Sequence, residues 1–152
     1  MFNFSVSTDI KCSAEQLWEL LDDTEKYPDW IEVTDRMLEV AEGGLKLGSV
    51  YREYGGIPPF KGESTWNVTE FEPYSRQVHI GDDGAMTITL EILINPHDDV
   101  VTLVQNLRFK PRWWIFPMTL IMWPALMGRR GRAAIEKTQA NAKAILEATS
   151  PD

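Results

Sequence analysis

Between residues 34 and 109 the chain carries six strand-like segments in succession, parted only by turn residues. That succession constrains the fold more than any other feature of the sequence. Strands joined by hairpin-length turns pair with their chain neighbours, so these six are expected to form an antiparallel meander. The segments run over 36–42, 47–54, 62–71, 76–80, 86–94 and 101–109. Gly43-Gly44, Gly55-Gly56 with Pro58-Pro59, Glu72-Pro73, Asp82-Asp83-Gly84 and the polar stretch 95–99 separate them. The segment 86–94 is the clearest, because Met86, Ile88, Leu90, Ile92 and Ile94 alternate with Thr87, Thr89, Glu91 and Leu93.

Such a sheet has one apolar face that another element must cover. At the N-terminus, Phe2, Phe4, Val6, Thr8 and Ile10 alternate with polar residues, which adds a further strand. Ser13 and Gln16 have capping-box spacing and open a helix carrying Leu17, Trp18, Leu20 and Leu21. Pro28 ends that helix or opens a short second one containing Trp30 and Ile31. At the C-terminus, 124–148 is predicted to be helical, with Ile135, Ala142, Ile145 and Leu146 as its stripe. Only this last helix is long enough to cover the sheet. The predicted class is α+β: a curved antiparallel sheet of about seven strands wrapped around one long C-terminal helix. With 152 residues, one domain over 1–152 accounts for the chain.

Two segments carry a family resemblance. Cys12-Ser13-Ala14-Glu15-Gln16-Leu17-Trp18-Glu19-Leu20-Leu21-Asp22, followed by Tyr27-Pro28-Asp29-Trp30, resembles the opening of the polyketide cyclase/dehydrase group of the START-like (SRPBCC) superfamily. Trp66-Asn67-Val68-Thr69-Glu70-Phe71-Glu72-Pro73 resembles its fourth-strand segment. The resemblance in element order covers nearly the whole chain. It implies the helix-grip fold and a deep cavity between sheet and C-terminal helix, used by different members for lipids, hormones, polyketides or other apolar ligands. It carries over no catalytic residue, because these motifs are mostly packing residues.

Charge patterning narrows the partners. The net charge is −8, which argues against broad nucleic-acid binding. The average conceals a division: residues 100–135 hold no Asp or Glu but six cations, Arg108, Lys110, Arg112, Arg129, Arg130 and Arg132, leaving −14 on the rest. Inside that stretch lies an apolar run, 113–127, shorter than the ~20 residues of a membrane-spanning helix. A lone cysteine, Cys12, and an N-terminus without a basic leader predict a reduced, cytoplasmic setting. No glycine-rich phosphate loop and no metal-ligand spacing occur, so neither cofactor nor metal is expected.

Candidate cavity residues follow from the alternation. Gln105 is the one polar residue on the apolar face of its strand, between Leu103 and Leu107. It meets either core partners or a ligand. Ser64 and Trp66 share a face with Val68, and Leu90 lies on the apolar face of 86–94. The third strand is ambiguous: either Ser49, Tyr51 and Glu53 or Val50, Arg52 and Tyr54 point inward. In the first case a phenol and a carboxyl share one cavity wall, where they could bind a ligand or transfer a proton. His79 is expected to point away from the core, opposite Val78 and Ile80, and His97 to lie in a polar turn.

The run 113–127 has three possible roles: core packing, a lid over the cavity supported by the methionines Met118, Met122 and Met127, or contact with a membrane surface. Trp114, Met118 and Met122 are its candidate cavity residues. Membrane contact would use Trp113, Trp114 and Trp123 with the flanking Arg112, Arg129 and Arg130. Three functions are therefore predicted in competition. The first is binding or transport of a hydrophobic small molecule, lipid or polyketide-like. The others are a polyketide aromatase/cyclase or dehydratase, and a lipid handler docked peripherally on a membrane.

Overall fold

The computed structural model describes residues 2–149, with the main chain alone for Ala125. Met1 and residues 150–152, the ends of the predicted 1–152 span, lie outside the described residues. Strand β1 (Asn3–Ile10) leads into helix α1 (Ala14–Asp22), a 3-10 turn and the short helix α2 (Tyr27–Trp30). Six strands follow: β2 (Thr34–Glu39), β3 (Val50–Ile57), β4 (Phe60–Glu72), β5 (Arg76–Asp82), β6 (Met86–His97) and β7 (Val100–Pro111). Helix α3 (Phe116–Met122), a π turn at Trp123–Met127 and helix α4 (Gly128–Thr149) complete the chain. All seven strands form one antiparallel sheet in the order β1-β7-β6-β5-β4-β3-β2.

The meander therefore forms, and β1 joins it beside β7. The expected capping box is present at α1, where Ser13 Oγ accepts from the Gln16 amide and Gln16 Oε1 accepts from the Ser13 amide. The third strand departs from expectation. Gly55 and Gly56 do not end it; the strand runs on to Ile57 and turns at Pro58-Pro59. The glycines serve a close approach instead. A Cβ at Gly55 would overlap the Val33 carbonyl oxygen, so only glycine lets β2 enter alongside. Strand β2 accordingly begins at Thr34, paired with Gly55, and ends by Glu39 rather than 42.

The C-terminal helix is also interrupted. The predicted single helix over 124–148 is a π turn followed by α4. Pro124 lacks an amide hydrogen, and the widened turn closes through the Gly128 N–H to the Trp123 carbonyl. Helix α4 then lies against β1 and caps its outer edge: Arg132, Gln139 and Lys143 donate to the carbonyls of Ser5, Val6 and Asp9. Those bonds satisfy groups that would otherwise offer a pairing edge.

The core divides in two. The larger cluster joins Leu17, Leu21, Trp30, Val68, Ile94, Val101, Leu103, Ala142 and Leu146 around α1, α2 and the C-terminal half of α4. A small second cluster holds Phe4, Val6, Leu107 and Ile135, with Phe109 and Trp123 packed on it. Ile88 and Leu90 lie on the sheet's inner face beside both clusters, yet they remain only partly buried. They line a cavity.

Candidate functional site

A cavity of about 400 Å³ opens between the inner face of the sheet and α4, within the range of small-molecule sites. Tyr27 and Trp30 wall it at the packed end, and Gly131, Ile135 and Thr138 of α4 line its helical side. Its mouth lies among Phe60 and Lys61 of the β3–β4 hairpin, Asp83 and Ala85 of the β5–β6 turn, and Ile115, Met118, Thr119 and Met122 of the α3 region. Most of this lining is apolar, so the few polar groups decide what it can hold.

The ambiguity of β3 resolves inward for Ser49, Tyr51 and Glu53. Tyr51 and Glu53 are both buried, Glu53 to 8% exposure, and both line the cavity. The Glu53 carboxyl accepts from Thr34 Oγ1 at 2.8 Å and from Trp66 Nε1 at 3.1 Å. Trp66 Nε1 also donates to Ser64 Oγ at 3.1 Å. Burial raises the Glu53 pKa above the ordinary carboxylate value, and the hydrogen bonds from Thr34, Trp66 and Ser64 oppose that rise only in part. Trp66 lies flat against its neighbours, stacked with Tyr51 at a 7° interplanar angle. Its indole crosses β5 at Gly81, where a Cβ would stand 2.7 Å from the ring.

His79 corrects the sequence-based expectation. It is buried to 1% exposure and lines the cavity rather than facing solvent. The physical reason is register. Val68, an inward residue, pairs with His79, and Trp66 pairs with Gly81, so Gln77, His79 and Gly81 share the inner face. A bulge between Val68 and Glu70 then resets the pairing. Hydrophobicity alone favours Val78 and Ile80 as the inward pair, and the only contrary signal, Gly81 facing a tryptophan, needs the register to be seen.

His79 Nδ1 lies 2.7 Å from the Tyr51 hydroxyl and Nε2 lies 2.7 Å from Gln77 Oε1. With the amide oxygen facing Nε2, the imidazole carries its proton there, and Nδ1 accepts from Tyr51. Burial holds the His79 pKa down to about 4, so the ring is neutral at physiological pH. Burial likewise pushes the Tyr51 and Tyr27 phenols well above their ordinary value. Tyr51, His79 and the Glu53 carboxyl together form the polar wall of the cavity, with Gln77 behind it holding His79 Nε2.

Gln105 faces that wall from β7. Its Oε1 accepts from Gln139 Nε2 at 3.1 Å, which makes it in part a core amide, while the residue also lines the cavity. Of the other predicted cavity residues, Ser64, Trp66, Leu90, Met118 and Met122 line it. Leu103 and Trp114 do not. Leu103 is fully packed in the larger core cluster, because Ile94 and Val101 fill the space beside it. Trp114 is largely exposed on the outer surface, since the chain leaves the sheet at Pro111 before reaching it.

Residues 1–146 match the protein family described as polyketide cyclase/dehydrase and lipid transport. This chain belongs to that family. Solved structures of the same fold include the di-domain ARO/CYC StfQ from the steffimycin biosynthetic pathway, with a TM-score of 0.74 and 13% identity. The alignment covers 96% of this chain and 50% of StfQ, so this chain spans half the length of that protein. A protein from Thermus thermophilus aligns with a TM-score of 0.73 and 13% identity, over 97% of this chain and 99% of its own. A START superfamily protein from Mycobacterium smegmatis aligns with a TM-score of 0.72 and 15% identity, over 97% and 99%. These likenesses establish the helix-grip fold. No curated protein matches the chain.

In this polyketide cyclase/dehydrase family member the segment 113–127 supplies one side of the mouth, through Ile115, Met118, Thr119 and Met122. Core packing describes little of it: Trp113 is 86% and Ile121 80% exposed, and Thr119 is the one fully buried residue of α3. Met118 and Met122 line the entrance, and Trp123 packs on Phe2, Phe4 and Phe109. No described helix is long and apolar enough to cross a membrane.

Proposed function

We propose that this family member binds a neutral, largely apolar small molecule that carries a hydrogen-bond donor such as a hydroxyl or phenol. The observation that carries this is the buried Glu53 in the wall of an otherwise apolar 400 Å³ cavity. A carboxylate offers only acceptors, and the Tyr51 oxygen beside it on the strand has its own proton directed to His79. Both therefore favour a ligand donor. A ligand carboxylate placed there would meet like charge in a medium that screens poorly. A long-chain alcohol or alkylphenol should thus bind better than the fatty acid of equal length.

Displacement of a neutral fluorescent apolar probe, N-phenyl-1-naphthylamine, tests this. At pH 8 the alcohol is expected to displace it at about tenfold lower concentration than the acid, a difference of ~1.4 kcal/mol. Glu53→Gln should close most of that gap. Equal displacement by acid and alcohol in the unaltered protein overturns the preference, and failure of every apolar competitor overturns the binding function.

The Tyr51–His79–Gln77 chain favours a second function, dehydration of a β-hydroxy ketone or thioester. Glu53 would take the proton from the carbon beside the carbonyl while the Tyr51 hydroxyl turns from His79 Nδ1 to the leaving oxygen, so that the β-hydroxyl departs as water with the Tyr51 proton. The Cα–H and Cβ–O bonds break and the C=C bond forms, and proton return from Glu53 to Tyr51 through solvent resets the site. Glu53→Gln and Tyr51→Phe should each abolish turnover of a β-hydroxyacyl thioester while probe binding persists. Turnover surviving both substitutions overturns that role.

A further inference from the structure

Helix α3 turns an apolar face to water, and its one polar side chain, Thr119, is buried and donates to the Ile115 carbonyl. Ile115, Met118, Thr119 and Met122 line the cavity mouth, while Pro117, Leu120 and Ile121 face outward and are exposed. A helix between a core and water ordinarily turns a polar face outward. Trp113, also exposed, extends the outward face from the preceding turn. The patch is continuous with the interior, because Met118 and Phe60 are at once cavity-lining and exposed. The mouth carries carboxylates on its far side, Asp83 in the lining and Asp82 paired with Arg112 at 2.7 Å, so the cations left to a partner of this face are those that follow α3. No acidic residue occurs from 100 to 135, and Arg129 and Arg130, exposed at the start of α4, form no salt bridge among the described residues. The remainder of the molecule carries the excess of carboxylates.

We propose that this face docks on an anionic lipid bilayer, with Trp113, Leu120 and Ile121 in the headgroup–acyl boundary and Arg129 and Arg130 against the lipid phosphates. Indole rings settle at that depth, and cations near the surface each add to the attraction. The acidic body, repelled by the same surface, turns the mouth toward it. An apolar ligand then passes between bilayer and cavity across Met118 and Phe60 without entering water. This passage rests on the ligand-binding function proposed above, but the docking itself does not.

Flotation with vesicles of phosphatidylcholine alone and with 30% phosphatidylglycerol tests the docking. The protein is expected to float with the anionic vesicles, about tenfold more than with the zwitterionic ones, and to lose that advantage in high salt. The double variant Trp113→Ser/Ile121→Ser should lower the bound fraction at least tenfold. Leu47→Ser, which alters another well-exposed apolar residue outside the patch (65% exposed), should leave it unchanged. No flotation with either vesicle overturns the proposal, as does equal loss in Leu47→Ser. A vesicle-free dimer that the double variant dissociates, with no flotation, assigns the face to a second copy and overturns it too. Probe displacement without vesicles separates the two functions. A double variant that binds probe normally yet does not float shows a docking defect alone, whereas normal flotation of a protein that binds no apolar molecule leaves docking intact and ends the cavity's role.

Discussion

The two ends of the cavity are made from similar residues and finish in opposite states. At the packed end Leu17, Trp18, Leu21, Tyr27 and Trp30 are almost fully buried under α4 and the sheet. At the mouth Trp113, Trp114, Met118, Leu120 and Ile121, no less apolar, are exposed. The difference lies in what each segment has to lean on. Helices α1 and α2 fit between the sheet and the second half of α4, so their stripes find partners on two sides. Helix α3 leaves the end of β7 and meets the molecule along one side only. Hydrophobicity thus stabilises the fold at one end and remains available for contact at the other.

Four measurements would break or sharpen that comparison. The largest effect belongs to the packed end: Leu17→Ala should lower the free energy of unfolding by about 3–4 kcal/mol, because it opens a void at a site with no exposure. Denaturant titration checks this, and a loss under ~1 kcal/mol would mean the packed end is itself loose.

The second effect concerns the polar wall between the ends. The unfolded chain takes up a proton at His79 near the ordinary value of 6.5, and the folded chain only near 4. Acid therefore favours unfolding, and this group should remove about 3 kcal/mol of stability as pH falls from 6.5 to 4. Glu53 works with the opposite sign. Its folded pKa is raised, so the stabilisation is complete below the unfolded value of about 4.5 and is lost as pH rises through the folded value. Stability measured across pH in the unaltered protein, His79→Gln and Glu53→Gln should show the acid-side slope flattened in the first variant and the rising-pH loss removed in the second. Parallel curves would place both groups in contact with solvent.

Gly81→Ala should cost about 2 kcal/mol, since the new Cβ would press on the Trp66 ring and force the indole from its bond to Glu53. Thermal unfolding reads that loss, and a neutral outcome would show that the wall gives way easily. The smallest effect is at the mouth. Ile121→Ala should change stability by no more than about 0.5 kcal/mol, because its side chain already stands in water. A loss comparable to that of Leu17→Ala would show the mouth to be part of the core.

Much of this architecture was legible in the residues. Period-two alternation marked β1, β6 and β7, turn residues separated the strands, and Ser13 with Gln16 marked the start of α1. The inward faces of β6 and β7 followed because each strand has one plainly apolar side. The site was legible only in part. On β3 the two faces are about equally hydrophobic, so Tyr51 and Glu53 stayed unassigned, whereas on β5 Val78 and Ile80 make the plainly more apolar face, so His79 was placed on the wrong side. Trp114 and Leu103 show the complementary failure: both are apolar residues near the cavity in sequence pattern, but one stands outside and the other is packed solid.

The sequence by itself determined the order of elements, the antiparallel meander and the need for one long helix to cover it, because these depend on local periodicity and short connections. It also located the charge asymmetry around the segment 113–127. Tertiary structure decided everything that depends on register and on which surfaces run out of partners. The Val68 bulge and the Trp66–Gly81 pairing put a neutral histidine and a buried carboxyl on one cavity wall. The one-sided support of α3 left an apolar helix facing water at the cavity mouth. Neither is a property of any single segment, since each arises from the distance between residues that the chain alone keeps far apart.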